Sequence, residues 1–263
     1  MKANGKVQSQ FSECSYIVSP WSNSPWKRRL DVVGAILLLV LLLPLMFVVA
    51  LAVKLTSPGP VLFRQRRPGR GGREFSILKF RTMLDARRHV GPMLTQAEDP
   101  RVTWFGRYLR KWKLDELPQL FNVLRGHMSF VGPRPQPTRL WHDPTIQDEV
   151  ACILSVRPGI TSQATLNFRN EEELLAPLST DELEEVYMTT IMPLKLKMDL
   201  EYLQNASFGS DLSLIFKTVF RVCNPHEQAN DLMIKQHLAE NMQKAYMPVI
   251  EQKEYVPAVE QAD

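Results

Sequence analysis

One uncharged apolar run dominates the hydropathy pattern of this 263-residue chain. It covers residues 32–53 and has the length of a membrane helix, roughly 20 residues for a hydrocarbon core of about 30 Å. The run has no polar face, which argues against a helix of a soluble core. It also begins late and lacks a small-residue cleavage site, which argues against a signal peptide. We therefore predict a membrane-embedded helix over residues 27–54.

Basic residues flank this run on both sides, at positions 27–29 before it and at Lys54 and Arg64 after it. A single span would leave one of these groups on the translocated side, against the positive-inside tendency. Pro44 lies near the middle of the run, where its ring and missing N–H can bend or break a helix. These features favour a re-entrant helix-break-helix that returns to the cytosolic face. A kinked span is the alternative.

Shorter periodic patterns predict a small β-hairpin and several amphipathic helices. Residues 61–63 and 74–80 have the composition of strands on either side of a glycine-rich loop. A helical pattern covers residues 171–205 with breaks at Pro177 and Pro193, and a last apolar helix covers residues 211–220. The predicted fold class is therefore α+β and mainly helical.

One of these helices combines aromatic and basic residues. Its aromatic residues recur at intervals of four: Trp104, Tyr108 and Trp112. Arginine and lysine are interleaved with them, which is the composition of a helix lying in a membrane interface. A core-facing helix with a basic solvent face is the alternative interpretation.

The composition fits one folded domain attached to a membrane anchor. The hydrophobic content of 44% is ample for a core, and the formal net charge is +4. We predict a loose N-terminal segment over residues 1–26, the embedded helix over 27–54, a folded domain over 55–222 and a polar tail over 223–263.

The charge distribution is uneven, and the cysteines are few. Basic residues far outnumber acids between Lys54 and Lys113, which suggests an anionic partner such as phospholipid, a nucleotide diphosphate or nucleic acid. Three widely spaced cysteines fit no metal or disulfide pattern and are interpreted as thiols of a reducing compartment: Cys14, Cys152 and Cys223.

The candidate chemistry lies in residues 113–124, where leucines recur at spacings of three and four and predict an amphipathic helix. Pro118 is tolerated only in the first turn, so the helix is expected to begin at or just before Asp115. Asp115 is then predicted as the N-cap, with Glu116 in the first turn. A plain helix cap is the alternative, but paired acids between basic clusters better suit divalent-metal and phosphate chemistry.

A second candidate residue follows in a proline-rich stretch. Alternating prolines hold residues 130–137 extended, so Arg134 is presented from a stiff backbone. Arginine is suited to a bidentate grip on phosphate or carboxylate.

These residues carry a family resemblance. From about residue 26 to residue 222 the chain resembles the bacterial sugar transferases, which are monotopic polyprenyl-phosphate phosphoglycosyl transferases. Three positions depart from the pattern of the family: Leu43, His127 and Ser162. The resemblance rests on the apolar run with its proline, on Arg67, Gly69 and Gly72, and on these segments: 59–65 (GPVLFRQ), 79–83 (KFRTM), 109–111 (LRK), 114–120 (LDELPQL), 122–124 (NVL), 128–129 (MS), 131–135 (VGPRP) and 158–161 (PGIT).

The resemblance implies a reaction and roles for particular residues. A sugar 1-phosphate would pass from a nucleoside-diphosphate sugar, a UDP-sugar, to polyprenyl (undecaprenyl) phosphate, with release of UMP. Asp115 would be the nucleophile that forms a covalent phosphosugar, and Glu116 would hold Mg²⁺ with it or assist the acceptor phosphate. The residues expected to bind phosphate are Arg110 and Arg134, with Lys79 and Arg81 as weaker candidates that could be structural.

The same resemblance implies a bacterial inner membrane protein with its catalytic domain on the cytosolic face, acting at the start of surface-glycan synthesis. The expected partners are the phospholipid membrane, the nucleotide sugar and polyprenyl phosphate, with a homodimer as an open alternative and no nucleic acid. Two other classes of protein are alternatives. One is a membrane-tethered nucleic-acid-binding protein that uses the basic stretch 64–113. The other is a non-catalytic scaffold in which Asp115 only caps a helix.

Overall fold

The computed structural model describes residues 14–84, 99–136, 146–176 and 180–224. Within these ranges the protein is mainly helical, with two small two-stranded sheets. This confirms the predicted α+β class dominated by helices. The predicted polar tail lies outside the described residues beyond Asn224, as do the first 13 residues of the predicted N-terminal segment.

The apolar run forms one long helix, α1 (Pro25–Thr56), which by length and composition could cross a membrane. It begins where the Ser24 hydroxyl accepts the backbone N–H of Trp26 at 3.1 Å. Pro44 lies inside the helix, which is not divided into two elements there. The backbone therefore shows one helix where we predicted two.

Polar contacts hold the first turns of α1 to the folded domain. Lys27 forms a buried ion pair with Asp211 and donates to the Tyr202 hydroxyl at 3.1 Å. One turn further on, Asp31 accepts the backbone N–H of Phe130 at 3.1 Å. Because a charge left unpaired inside a protein is costly, these contacts fix the start of α1 on the domain.

Apolar contacts hold the last turns of α1 to the same domain. Met46, Val49 and Val53 are buried in a cluster with Phe80 and Leu109. Both ends of α1 therefore contact one body. Many side chains between these ends are exposed, among them Ile36, Leu37, Val40, Leu41 and Leu43.

The predicted hairpin follows α1. Strands β1 (Leu62–Pro68) and β2 (Glu74–Phe80) pair antiparallel, and the first strand is longer than predicted. Gly71 and Gly72 turn the chain between them with φ values of 69° and 70°, which side chains other than glycine rarely adopt.

Helix α2 (Trp104–Lys111) confirms the predicted aromatic and basic helix. Gly106 and Leu109 are buried, whereas Trp104 is 67% exposed and Tyr108 is 51% exposed. The helix therefore packs on the core through Gly106 and Leu109 and exposes Trp104 and Tyr108 on its outer side.

Helix α3 (Gln119–Leu124) lies along the edge of the hairpin. The Asn122 side chain accepts the N–H of Leu78 at 3.0 Å and donates to the carbonyl of Ser76 at 2.7 Å. It thereby pairs an edge of β2 that would otherwise expose backbone groups.

A second sheet was not predicted. Strands β3 (Ser129–Val131) and β4 (Gly159–Thr161) pair in parallel, although the sequence indicated only an extended stretch and a stiff turn there. Gly132 and Gly159 let the two backbones approach closely, because a Cβ on Gly159 would lie 2.2 Å from the nitrogen of Gly132.

The remaining helices form the largest hydrophobic cluster. Tyr187–Ile191 is a π-helical segment between α7 (Thr180–Val186) and α8 (Met192–Asn205). Pro193 follows in the first turn of α8, so the chain does not break where we predicted. The other predicted break, at Pro177, lies outside the described residues. These helices are α4 (Gln147–Leu154), α5 (Gln163–Asn167), α6 (Glu171–Leu174), α7 (Thr180–Val186), α8 (Met192–Asn205) and α9 (Phe208–Cys223).

The segment before α1 is attached to this cluster from Cys14 onward, so this part is not loose as predicted. Ser19 donates its N–H to Leu203 at 2.8 Å. Cys14 and Cys152 are joined by a disulfide with a Cα–Cα distance of 4.6 Å. The interpretation of all three cysteines as thiols is therefore wrong for this pair. Folding brings together residues 138 positions apart, which spacing in the sequence cannot reveal.

Candidate active site

The two adjacent acids lie on a short 3₁₀ helix, Leu114–Glu116, between α2 and α3. Lys113 precedes it in the left-handed region, with φ of 53°, and redirects the chain after α2. The α-helix begins only after Pro118, and Asp115 makes no capping hydrogen bond. The prediction of Asp115 as an N-cap is therefore wrong, because a 3₁₀ turn separates it from the first residue of α3.

Glu116 is held between two cations from different elements. Lys79 Nζ, on β2, lies 2.8 Å from Glu116 Oε1, and Arg134 Nη2 lies 2.5 Å from the same oxygen. Arg134 Nη1 lies 3.2 Å from the second oxygen, Oε2. Burial alone would raise the pKa of Glu116, but Arg134 and Lys79 outweigh it and hold that pKa well below its usual range.

Asp115 differs from its neighbour in both contacts and protonation. Its side chain is buried, and Oδ1 has no hydrogen-bond partner among the described residues. Burial raises the pKa of Asp115, and the charge of Lys79 opposes that shift. The two carboxyl groups are thus pushed in opposite directions, a pattern typical of acids with different chemical roles.

Gln119, near Asp115 in the chain, has two amide atoms without hydrogen-bond partners among the described residues. It is fully buried, and both its amide oxygen and its amide nitrogen lack partners in the described part of the chain. Gln119 follows Asp115 by four positions along a largely helical backbone, so both side chains lie on about the same side of that backbone. Apart from its place in the motif, no pattern in the sequence distinguishes Gln119.

The other predicted phosphate-binding residues divide into two groups. Arg110 lies near the acids and pairs with Glu172 of α6 at 2.9 Å, and its charge opposes the rise in the pKa of Asp115. Arg81 is directed elsewhere. Its Nη2 donates to the carbonyl of Ser57 at 2.7 Å and to that of Val53 at 3.3 Å. These contacts support the structural alternative for Arg81, at the end of α1.

A distant carboxyl group faces the loop that carries Arg134. Asp199, on α8, is buried, and burial raises its pKa to about 7, against the opposing effects of the Ser162 hydroxyl and the Arg134 backbone N–H. Asp199 Oδ1 has no hydrogen-bond partner among the described residues. Asp199 lies 65 positions beyond Arg134, so sequence reasoning missed it.

The acids offer little for a resident metal ion. Within the described residues no group of three or more metal-binding side chains is present, and both oxygens of Glu116 are engaged. Asp115 Oδ1, in contrast, has no hydrogen-bond partner among the described residues. Mg²⁺ commonly takes one or two carboxylates and completes its shell with substrate phosphates and water. The site therefore fits Mg²⁺ that arrives with a diphosphate.

Comparisons with known proteins agree with these observations. Residues 22–225 match the sequence model of a family described as bacterial sugar transferase. A UDP-glucose:undecaprenyl-phosphate glucose-1-phosphate transferase of Caulobacter vibrioides is 46% identical over 198 residues, 73% of this chain and 68% of the relative. The protein of the same name from Escherichia coli is 41% identical over 201 residues, 74% of this chain and 39% of its own length.

A third relative is named for a different sugar. It is a UDP-N-acetylgalactosamine-undecaprenyl-phosphate N-acetylgalactosaminephosphotransferase of Aeromonas hydrophila, 37% identical over 73% of this chain and 42% of its own length. The chain thus spans less than half of two of these three relatives. In all three, the match covers about three quarters of this chain.

Proposed function

The chain belongs to the bacterial sugar transferase family, and from this membership we propose that it transfers a sugar 1-phosphate from a UDP-sugar to undecaprenyl phosphate. The names of the three relatives support this reaction. The observation that carries the proposal is the unpartnered oxygen of Asp115 beside Glu116, which two cations hold ionised.

The proposed chemistry has two displacements at one phosphorus atom. Asp115 attacks the sugar-bearing phosphorus, the bond from this phosphorus to the bridging oxygen breaks, and UMP leaves with the electron pair. An oxygen of the lipid phosphate then attacks the same phosphorus, and the Asp115 carboxylate leaves. A covalent intermediate divides one difficult transfer into two easier ones. Mg²⁺ bound to the diphosphate would neutralise charge on its oxygens.

The surrounding residues have separable roles in this proposal. Glu116 orients Lys79 and Arg134, whose remaining N–H groups are directed at phosphate oxygens that gain charge during transfer. Arg110 and Lys113 lower the pKa of Asp115 against the effect of burial and so favour its ionised, nucleophilic form.

The contacts of α1 support a re-entrant arrangement. A straight helix of 32 residues is about 48 Å long, and a span would carry one end to the opposite membrane surface. Both ends contact the same folded domain, through Lys27 and Asp31 at the start and Val49 and Val53 at the end. We infer that α1 enters and leaves the membrane by one face, with its exposed middle in lipid and the aromatic side chains of α2 at the interface.

We place that face on the cytosolic side of the inner membrane. The basic residues that flank α1 on both sides follow the positive-inside tendency there, and UDP-sugars are cytosolic metabolites. The disulfide between Cys14 and Cys152 opposes this placement, because cytosolic proteins rarely keep disulfides. For the side on which the domain lies, we give more importance to five basic residues beside the apolar run, at positions 27–29, 54 and 64, than to one cysteine pair. Basic residues act while the chain is being inserted.

The test of the proposed function is direct detection of the covalent intermediate. Purified chain in detergent is mixed with UDP-glucose or UDP-N-acetylgalactosamine and Mg²⁺ without lipid acceptor, and its intact mass is measured. The mass should rise by one hexose phosphate or N-acetylhexosamine phosphate, and UMP should be released in equal amount.

The variant Asp115→Asn keeps the side-chain shape but loses the nucleophile, so it should fold, gain no mass and turn over at least 1,000-fold more slowly, on the order of other nucleophile losses. Asp148→Asn, on the exposed side of α4, is the matched control and should react normally. Substantial turnover by Asp115→Asn would show that Asp115 is not the nucleophile.

A further inference from the structure

Arg67 is a partly buried cation whose guanidinium group has no carboxylate partner among the described residues. Its Nη2 donates to Gln65 Oε1 at 2.6 Å, whereas Nε and Nη1 are buried and have no hydrogen-bond partner among the described residues. No ion pair involves Arg67 in the described part of the chain, although its neighbour Arg66 pairs with Glu74 at the surface. Two guanidinium donors are therefore unused.

The groups nearest to Arg67 do not neutralise it. Burial lowers the pKa of Arg67 to about 10, the positive charge of Arg134 lowers it further, and only Tyr187 opposes the shift. The Tyr187 hydroxyl lies 3.4 Å from Gln136 Oε1, just beyond Arg134 in the chain. A buried charge that is unpaired and next to a like charge destabilises the folded protein, and an anionic ligand would remove that cost.

Strand register places Arg67 on the same side of the hairpin as Lys79. Phe75 lies opposite Arg67, and Phe63 lies opposite Lys79. Residues that lie directly opposite in an antiparallel pair share a face, as do residues two and four apart on one strand. Arg67 and Lys79 therefore project from one face, with backbone positions about 13 Å apart along the strands.

Arg134 lies between these two cations. It shares Glu116 with Lys79 at one side and acts on the charge of Arg67 at the other. Lys79 is the cation with the largest effect on Asp115. The three cations thus form a row that begins beside Asp115 and ends at Arg67.

We propose that Arg67 binds a phosphate of the nucleotide, the one that stays with the nucleoside when Asp115 takes the sugar phosphate. This inference rests on the proposed function, since it assigns a place to the leaving group of that reaction. The free N–H groups on Nε and Nη1 match two oxygens of one phosphate. A nucleoside diphosphate carries two phosphates, and the row of cations offers one position near Asp115 and one at Arg67.

The test measures binding of UMP to the full chain in detergent by calorimetry, without lipid or turnover. Arg67→Gln should weaken UMP binding about tenfold or more, since a charge-assisted bidentate contact is lost. Arg66→Gln removes the same charge one position away, from an exposed side chain, and should bind UMP as the unchanged chain does. Uridine, which has no phosphate, should bind all three proteins equally.

Thermal unfolding without ligand separates binding from a structural role. Arg67→Gln removes an uncompensated buried charge, so its Tm should equal or exceed that of the unchanged chain. A lowered Tm would show that Arg67 supports the fold and would overturn the inference. UMP affinity that is unchanged in Arg67→Gln would also overturn it.

A short-chain polyprenyl phosphate distinguishes the two sources of phosphate. Weakened binding of this lipid with unchanged UMP binding would overturn the nucleotide assignment. Failure of the inference is distinct from failure of the proposed function. The first leaves covalent labelling of Asp115 intact, whereas the second abolishes labelling of the unchanged chain.

Discussion

Asp115 and Glu116 are adjacent in the sequence, yet they differ in their hydrogen bonds and in the direction of their pKa shifts. Glu116 accepts bonds from two cations, so its negative charge is fixed in place. Asp115 is buried beside it. Its Oδ1 atom has no hydrogen-bond partner among the described residues, and its pKa is raised. The motif alone identified the pair, but only the position of Lys79 on a separate strand shows which acid is restrained and which is free to react.

The charge of Lys79 should set the acidic limit of activity. Asp115 must be ionised to attack, and its raised pKa means that activity is lost as pH falls through that value. Lys79→Gln removes the cation that most opposes this rise, so the acidic limb of the kcat/KM profile should move to higher pH, with about a tenfold loss at the optimum. Lys79→Arg keeps the charge and is the control. A limb that stays in place in Lys79→Gln would show that Lys79 does not act on the nucleophile.

At the scale of elements, the sequence predicts those with local signals and misses contacts between segments that are far apart in the chain. The hairpin and α2 were predicted because their signals are local: alternating residues around a glycine loop, and aromatic residues every four positions. The pairing of β3 with β4 was missed because it joins segments about 30 residues apart and depends on two glycines that meet only in the fold. Asp199 was missed for the same reason, because it comes near the Arg134 loop only once the chain has folded.

The end of α1 supplies a prediction at the scale of an element. Arg81 is buried and donates to the carbonyls of Val53, Ser57 and Pro60. Arg81→Met removes the donor that these carbonyls share and should lower stability by about 3 kcal/mol, with UMP affinity retained below the unfolding temperature. Arg73→Met, at an exposed position of the hairpin loop, should leave Tm unchanged. If Arg81→Met lost UMP affinity while its Tm stayed unchanged, Arg81 would bind phosphate and would not stabilise the end of α1.

At the scale of the whole molecule, most of the exposed large apolar side chains among the described residues lie on three helices. They include those in the middle of α1, the aromatic residues of α2 and those on the outer side of α9, where Phe216 is 65% exposed and Phe220 is 57% exposed. Exposed apolar patches of this kind mark contact surfaces. Their combination with a long apolar helix supports attachment to a membrane through several elements.

The direction of α1 can be measured with single cysteines in a background in which the three native cysteines are replaced by serine. Asn23→Cys and Thr56→Cys place thiols at exposed positions on either side of the apolar run. In intact cells, a membrane-impermeant thiol reagent should label neither site, and it should label both once the membrane is permeabilised. Labelling of the Asn23 position alone in intact cells would establish a span. Labelling of both would place the domain outside the cytosol.

The ion pair between Lys27 and Asp211 has a consequence for the order of events during synthesis. The two residues are 184 positions apart, so at about 5 to 20 residues per second the ribosome makes Asp211 roughly 10 to 40 seconds after Lys27. During that interval Lys27 has no partner, and its charge is available to the insertion machinery as a signal for orientation. Once α9 emerges and docks, the same ammonium group becomes a buried structural contact. A single lysine thus serves first in targeting and later in locking the finished fold.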